Sequence, residues 1–278
     1  MKLQKAIDKA KERKTAAAPP ERERPSVRRI KGPAGNGTPP VYSESKCCEL
    51  DEAGAINSRC VCLSADTPVL EFFKVLRTRM LQHAKPKGWN AFMITSARPG
   101  EGKTLTAINL ALAIAKTFNQ TAILVDCDFH QQKIHRYLGL ESDRGIVDYL
   151  LDGVPLKDLI IWPRIERLTL ISGGRTIAES AELLESKRMK ELVAEMKDRY
   201  GDRYLIFDMP PLLSGADALT FAQLVDGIVM VVEEGGTPIK EVEKALELIP
   251  KEKFLGFVLN KASITKKAYY SYYRQDAP

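Results

Sequence analysis

The sequence predicts a three-layer α/β fold, a mostly parallel sheet with helices on both faces, and three observations predict it. Six short apolar runs alternate with longer amphipathic stretches between about residue 67 and residue 262. The runs are apolar at consecutive positions, as strands covered on both faces require. A glycine-rich turn joins the first run directly to a long helical stretch, giving the order strand, loop, helix.

The elements follow in chain order. KLQKAIDKAKERK sets Leu3, Ile7 and Ala10 at helical spacing in a strongly charged stretch. That is the pattern of a short amphipathic helix, marginal on its own. AAAPPERERPSVRRIKGPAGNGTPP mixes proline, glycine and charge without a period and reads as flexible linker. A flexible basic segment is therefore expected over 1–62, one α/β domain over 63–264 and a short tail over 265–278. TPVLEFFKVLRTRMLQ opens on a Thr67-Pro68 helix-start signal. Strands are expected at 91–95, 121–126, 168–172, 204–208, 227–232 and 254–260, and helices at 103–118, 131–138, 181–199, 216–224 and 238–249.

Composition narrows the class. Residues 1–32 carry eleven Lys or Arg against four acids, whereas the remaining chain carries 31 basic against 32 acidic residues. A basic arm on a neutral body either meets an acidic partner, an anionic surface or nucleic acid, or is simply solvated. No run reaches the roughly 20 apolar residues of a spanning helix, and the N-terminus lacks the apolar core of a secretory signal. A cytoplasmic protein is expected. Five cysteines argue against a disulfide framework. Cys47, Cys48, Cys60 and Cys62 fit none of the usual zinc spacings, so reduced linker thiols are expected there.

Three segments carry chemistry. SARPGEGKT follows the first strand and runs into a helix, the context of a phosphate-cradling loop. Gly100 and Gly102 let backbone N–H groups approach phosphates, Lys103 supplies charge and the Thr104 hydroxyl can ligate Mg²⁺. Ala97 stands where the strict pattern has its first glycine. The second strand ends AILVDCD, so Asp126 and Asp128, two apart, point to the same side at the carboxyl end of the sheet. The fourth strand delivers Asp208 to that edge in YLIFDMPPLL, like the metal-holding carboxylate of P-loop enzymes.

Together these segments resemble the bacterial tyrosine kinases of exopolysaccharide synthesis, which belong to the MinD/ParA-like P-loop ATPases. AELLESKRMKELV, FDMPPLL and MKLQKAIDKAKER are similar in particular to the free-standing, exosortase-associated tyrosine autokinases. The resemblance implies a three-layer P-loop NTPase fold, ATP and Mg²⁺ as cofactors, and a nucleotide bound by Pro99, Gly100, Glu101, Gly102, Lys103, Thr104 and Leu105, with Asn260 toward the adenine base. It implies that Lys103 contacts the β- and γ-phosphates, that Thr104, Asp128 and Asp208 organise Mg²⁺, and that Asp126 is the general base. It implies self-association through Glu71, Lys74 and Arg77, where lysine replaces the usual first arginine; an ordinary salt-bridged helix face is the alternative. His130 lies where the family carries arginine and either faces the phosphates or is structural; Arg98 lies where MinD/ParA ATPases carry a signature lysine and either imitates its charge or faces solvent.

Four of the nine tyrosines, Tyr269, Tyr270, Tyr272 and Tyr273, crowd the last ten residues. The resemblance makes them phosphoacceptors modified by a neighbouring subunit, the alternative being an aromatic patch on their own domain. The partners it implies are a homo-oligomer, a separate membrane co-polymerase that activates the kinase at the inner membrane face, and a cognate tyrosine phosphatase; nucleic acid is not expected. Two other functions compete: a MinD/ParA-like nucleotide-switched positioning ATPase, which the basic arm favours, and a non-catalytic assembly factor.

Overall fold

The computed structural model describes residues 46–64, 67–117, 119–199 and 203–263. Eight strands form one sheet: β1 (Lys46–Cys47), β2 (Ala91–Ser96), β3 (Thr121–Asp126), β4 (Ile160–Trp162), β5 (Leu168–Ile171), β6 (Arg203–Asp208), β7 (Gly227–Glu233) and β8 (Phe254–Asn260). Their spatial order is β1-β4-β5-β3-β6-β2-β7-β8. All pairings are parallel except that of β4 with β5. The helices are α1 (Glu52–Asn57), α2 (Pro68–Ala84), α3 (Lys103–Ala115), α4 (Ile134–Tyr137), α5 (Ile146–Asp152), α6 (Ser180–Glu185), α7 (Lys187–Arg199), α8 (Asp217–Phe221) and α9 (Ile239–Glu247).

Strand alternation divides the apolar residues between two cores. Phe92, Ile94, Leu124 and Ile206 pack on the side of α2 and α3. Met93, Val125, Leu205 and Phe207 pack on the side of α5 to α9. α7 shows how a polar helix joins such a core: Met189, Leu192, Val193 and Met196 form an i, i+3, i+4, i+7 stripe and are buried. α3 is apolar nearly all round, and twelve of its thirteen residues are buried, because it lies between the sheet and a second layer of chain.

Chain connectivity sets up the crevice. From β2 the chain crosses through α3 to β3, leaving room between them that β6 later fills. The carboxyl ends of β2, β6 and β3 thus lie side by side, and Asp126 is the register partner of Asp208. A ligand site is expected at such a point in an open parallel sheet.

The structure departs from the sequence expectation in four places. Residues 46–62 do not precede the domain but pack on it, with Ala55, Cys60 and Cys62 fully buried. Cys60 and Cys62 are therefore core residues, and burial pushes both thiols up to about 12. The helix expected over 181–199 is two helices, because the Ser186 hydroxyl accepts the Met189 N–H and starts α7 afresh. The helix expected over 131–138 shrinks to the four residues of α4, since Asp126 gathers the preceding backbone into a loop. β1, β4 and the seven-residue α5 are too short for periodicity to reveal.

Asn109 of α3 fastens the segment before α2. Its Oδ1 accepts the Cys62 N–H at 2.9 Å, and its Nδ2 donates to the Arg59 and Leu105 carbonyls at 3.0 and 2.9 Å. Asn109→Ala orphans buried backbone groups and is expected to cost about 2–3 kcal/mol in urea unfolding. Cys60 and Cys62, protected in the native protein, should then react faster with a thiol reagent.

Candidate active site

The loop between β2 and α3 is built on two glycines in the left-handed region, Gly100 (φ 87°) and Gly102 (φ 93°). A Cβ at Gly102 would also come within 2.1 Å of Asn260 Nδ2, so the position is closed to any side chain. Ala97 is compatible with the loop because, among the described residues, left-handed non-glycine positions occur only at Arg59, Arg164, Arg167 and Lys261. α3 begins at Lys103 with no side-chain cap, which leaves its first-turn N–H groups available to an anion.

Glu101 is a strut of this loop. Its buried carboxylate accepts the Arg98 N–H at 2.8 Å and meets the Thr237 hydroxyl after β7. The Asn260 side-chain amide donates to the Glu101 carbonyl at 2.8 Å. The end of β8 therefore holds the loop in shape. Apart from Glu101, every residue expected to meet the nucleotide lines one cavity of about 520 Å³.

Lys103 Nζ lies 2.8 Å from Asp128 Oδ2 and 3.4 Å from both Asp208 Oδ1 and Thr104 Oγ1. The Thr104 hydroxyl donates to Asp208 Oδ2 at 2.6 Å. All four side chains are buried. Burial works to lower the Lys103 pKa, but Asp208 and Asp128 outweigh it and hold the ammonium charged. Burial raises Asp208, with Lys103 and Thr104 opposing.

Asp126 sits beneath this cluster. Its oxygens accept the N–H groups of Asp128, Lys133 and Ile134 at 3.2, 3.1 and 3.2 Å, and it has no exposed surface. Burial, reinforced by Asp208, pushes its carboxyl up to about 8. Asp128 faces the cavity instead and accepts the Gln131 N–H at 3.0 Å.

A divalent cation fits this donor set. Two carboxylates and a hydroxyl are hard oxygen ligands, and the lysine now occupies the place of positive charge between them. Among the described residues no three His, Cys, Asp or Glu side chains converge on a metal. The set therefore suits an ion that completes its shell with water and phosphate, as Mg²⁺ does.

Other expected residues are placed differently. Glu71 and Lys74 pair with each other at 2.6 Å on the surface of α2. Arg77 instead turns inward, donating to the Ala113 carbonyl at 2.9 Å. Arg98 Nε lies 3.2 Å from Glu241 on α9. Tyr269, Tyr270, Tyr272 and Tyr273 lie outside the described residues. One constellation escapes the sequence: His130, lining the cavity, has Nε2 2.8 Å from Ser180 Oγ and 3.6 Å from Asp217 Oδ2. Its partners are 50 and 87 positions away, beyond any local pattern.

Comparison with known proteins agrees with this architecture. The ParA family profile, described as NUBPL iron-transfer P-loop NTPase, matches residues 89–272. The tyrosine-protein kinase YwqD of Bacillus subtilis is 34% identical over 205 residues, covering 73% of this chain and 85% of that protein. The tyrosine-protein kinase CpsD of Streptococcus agalactiae is 30% identical, covering 73% and 87%. Among solved structures, the chimerical protein CapA2B2 superposes with a TM-score of 0.68 at 27% identity, covering 81% of this chain and 96% of that one. The kinase domain of Escherichia coli tyrosine kinase ETK gives 0.64 at 26%, covering 70% and 78%. MinD of Pyrococcus horikoshii, solved with Mg-ADP, shares the fold at 0.51 and 20%, covering 66% and 76%.

The Asp126 carboxyl has a signature in pH-dependent stability. Its proton is bound more tightly folded, near 8, than in an unfolded chain, near 4. Its contribution is fully present below about pH 4 and is lost as pH rises toward about 8. The ligand-free protein should melt at lower temperature at pH 8 than at pH 5.5, and Asp126→Asn should flatten that slope.

Proposed function

The chain belongs to the ParA-like P-loop NTPases and, within them, to the bacterial protein-tyrosine kinases, and from that premise we propose that it is an ATP-dependent tyrosine autokinase. The observation that carries this reading is the Lys103 ammonium held among Asp128, Asp208 and Thr104 at the uncapped start of α3. The loop amides at the start of α3 would hold the phosphates of ATP, and Lys103 would neutralise the β- and γ-phosphates. Thr104, Asp128 and Asp208 would hold Mg²⁺, whose chemistry is neutralisation of charge on the transferring phosphoryl group. Most of the rate then comes from positioning and electrostatics.

We assign proton acceptance to Asp126. Its raised proton affinity suits a base, and its burial requires the backbone of residues 128–134 to shift when acceptor and nucleotide enter. Asp128 is the alternative acceptor, because it already faces the cavity. Asn260 supports the loop through the Glu101 carbonyl and lines the cavity, where it would lie toward the adenine base. The substrates in this reading are Tyr269, Tyr270, Tyr272 and Tyr273, presented by a neighbouring subunit. The wider role is control of exopolysaccharide polymerisation or export with a membrane-bound activator and an opposing phosphatase. No helix among the described residues is long and apolar enough to cross a membrane.

Mass spectrometry after incubation with Mg²⁺-ATP tests the reading. Phosphate is expected on Tyr269–Tyr273 of the native protein, reduced at least ~10²-fold in Lys103→Ala. Loss of phosphorylation in Asp126→Asn with Mg²⁺-ATP binding intact assigns the base to Asp126; retention there moves it to Asp128. ATP hydrolysis with an unmodified tail, even with the cytoplasmic part of a membrane partner present, identifies a positioning ATPase. Neither activity leaves an assembly factor.

A further inference from the structure

β8 is the last strand of the sheet, and its outer edge borders a groove of about 820 Å³ beneath α2. The groove is largely apolar, with Arg79 and His83 among its lining. Val69 and Val75 of α2 line it together with Phe257 and Leu259 of β8, and the latter two remain 49% and 57% exposed. An exposed apolar edge strand without proline or interior charge attracts a further segment of chain, and proteins usually cover it. Val69, Phe73, Thr106, Asn260 and Lys261 line both this groove and the nucleotide cavity, so whatever lies in one touches the wall of the other.

We propose that the groove is the resting dock of this chain's own tyrosine-rich tail, residues 264–278, bound in cis. The described chain leaves from the groove's rim: Lys261 and Ala262 line it. Lys261 turns the backbone there at φ 57°, and the Ser263 N–H is fastened to Glu234 Oε2 at 2.6 Å. Tyr269 follows Ser263 by six residues, a reach of about 20 Å. β8 has seven residues, about 23 Å of edge. The tail can therefore fold back along most of the strand. Its tyrosines suit the groove whichever way an extended tail faces, because Tyr270 and Tyr272 share one side and Tyr269 and Tyr273 the other. Tyrosine brings apolar area and keeps a hydroxyl for water.

Two other occupants are less favoured. The leader departs from β1, at the opposite edge of the sheet about 34 Å away. A second copy must bind from dilute solution, whereas a short linker gives the tail an effective concentration near millimolar. The docking itself is independent of the kinase reading. Its consequence rests on that reading: docked tyrosines are withheld from a neighbour's active site, and tail phosphorylation waits on release from the groove.

The experiment needs no nucleotide. Benzoylphenylalanine replaces Phe257 in one full-length sample and Val75 in another, both surface positions, and each is mixed with its ¹⁵N-labelled counterpart before photolysis. Mass spectrometry should find cross-links from either position to residues 264–278, with same-label pairs exceeding mixed-label pairs by roughly tenfold, as a short tether demands. Mixed-label pairs in statistical proportion would give the groove to a second copy and overturn the proposal. Cross-links to residues 1–45 would give it to the leader and overturn it equally. Correctly folded protein without tail cross-links from either position also overturns it, and leaves the autokinase reading to its own phosphorylation test.

Discussion

The structure depends on one arrangement of charge: a buried ammonium shared by the carboxylates of two different strands. Lys103 reaches Asp128 just after β3 and Asp208 at the end of β6, 25 and 105 positions away. Taking these groups out of water is costly, and their mutual attraction offsets that cost only while the geometry holds. Everything that shapes the crevice serves that geometry. β6 is inserted between β2 and β3, Gly102 allows Asn260 to close on the loop, and Glu101 ties it to Thr237. Two carboxylates, Asp128 and Asp208, against one lysine leave the crevice short of positive charge, which a cation arriving with a phosphate chain would supply.

Much of the fold was legible because its strands are buried on both faces and so read as unbroken apolar runs. The carboxyl-end aspartates were legible for the same reason: AILVDCD and YLIFD announce where a core strand meets the crevice. What remained hidden depends on contacts distant in sequence. That Asp126 lies under the site, whereas Asp128 faces into it, follows from three backbone bonds to the loop that no spacing rule reports. The resemblance sets Arg77 with Glu71 and Lys74 on an associating helix face, yet the carbonyl of Ala113 draws it inward. The cysteines at 60 and 62 read as linker because the segment's polarity masked two side chains that fill the core.

Shared architecture does not decide chemistry here. MinD of Pyrococcus horikoshii has the same fold at 20% identity, and that likeness speaks only of the sheet and its loops. In this chain the last described strand ends at the rim of a groove that shares a wall with the cavity of the glycine-rich loop. His130 adds a local distinction. It stands at the crevice against Ser180 and the buried Asp217, joining the loop after β3 to the starts of α6 and α8.

The attachment of the segment before α2 has a mechanical consequence. β1 contributes only two residues to the sheet, so it resists little tension. Behind it, Arg59 and Cys62 are bonded to Asn109, midway along the helix whose first residue is Lys103. The phosphate loop leads into one end of that helix and the segment before α2 is bonded to its middle, so the two share one support.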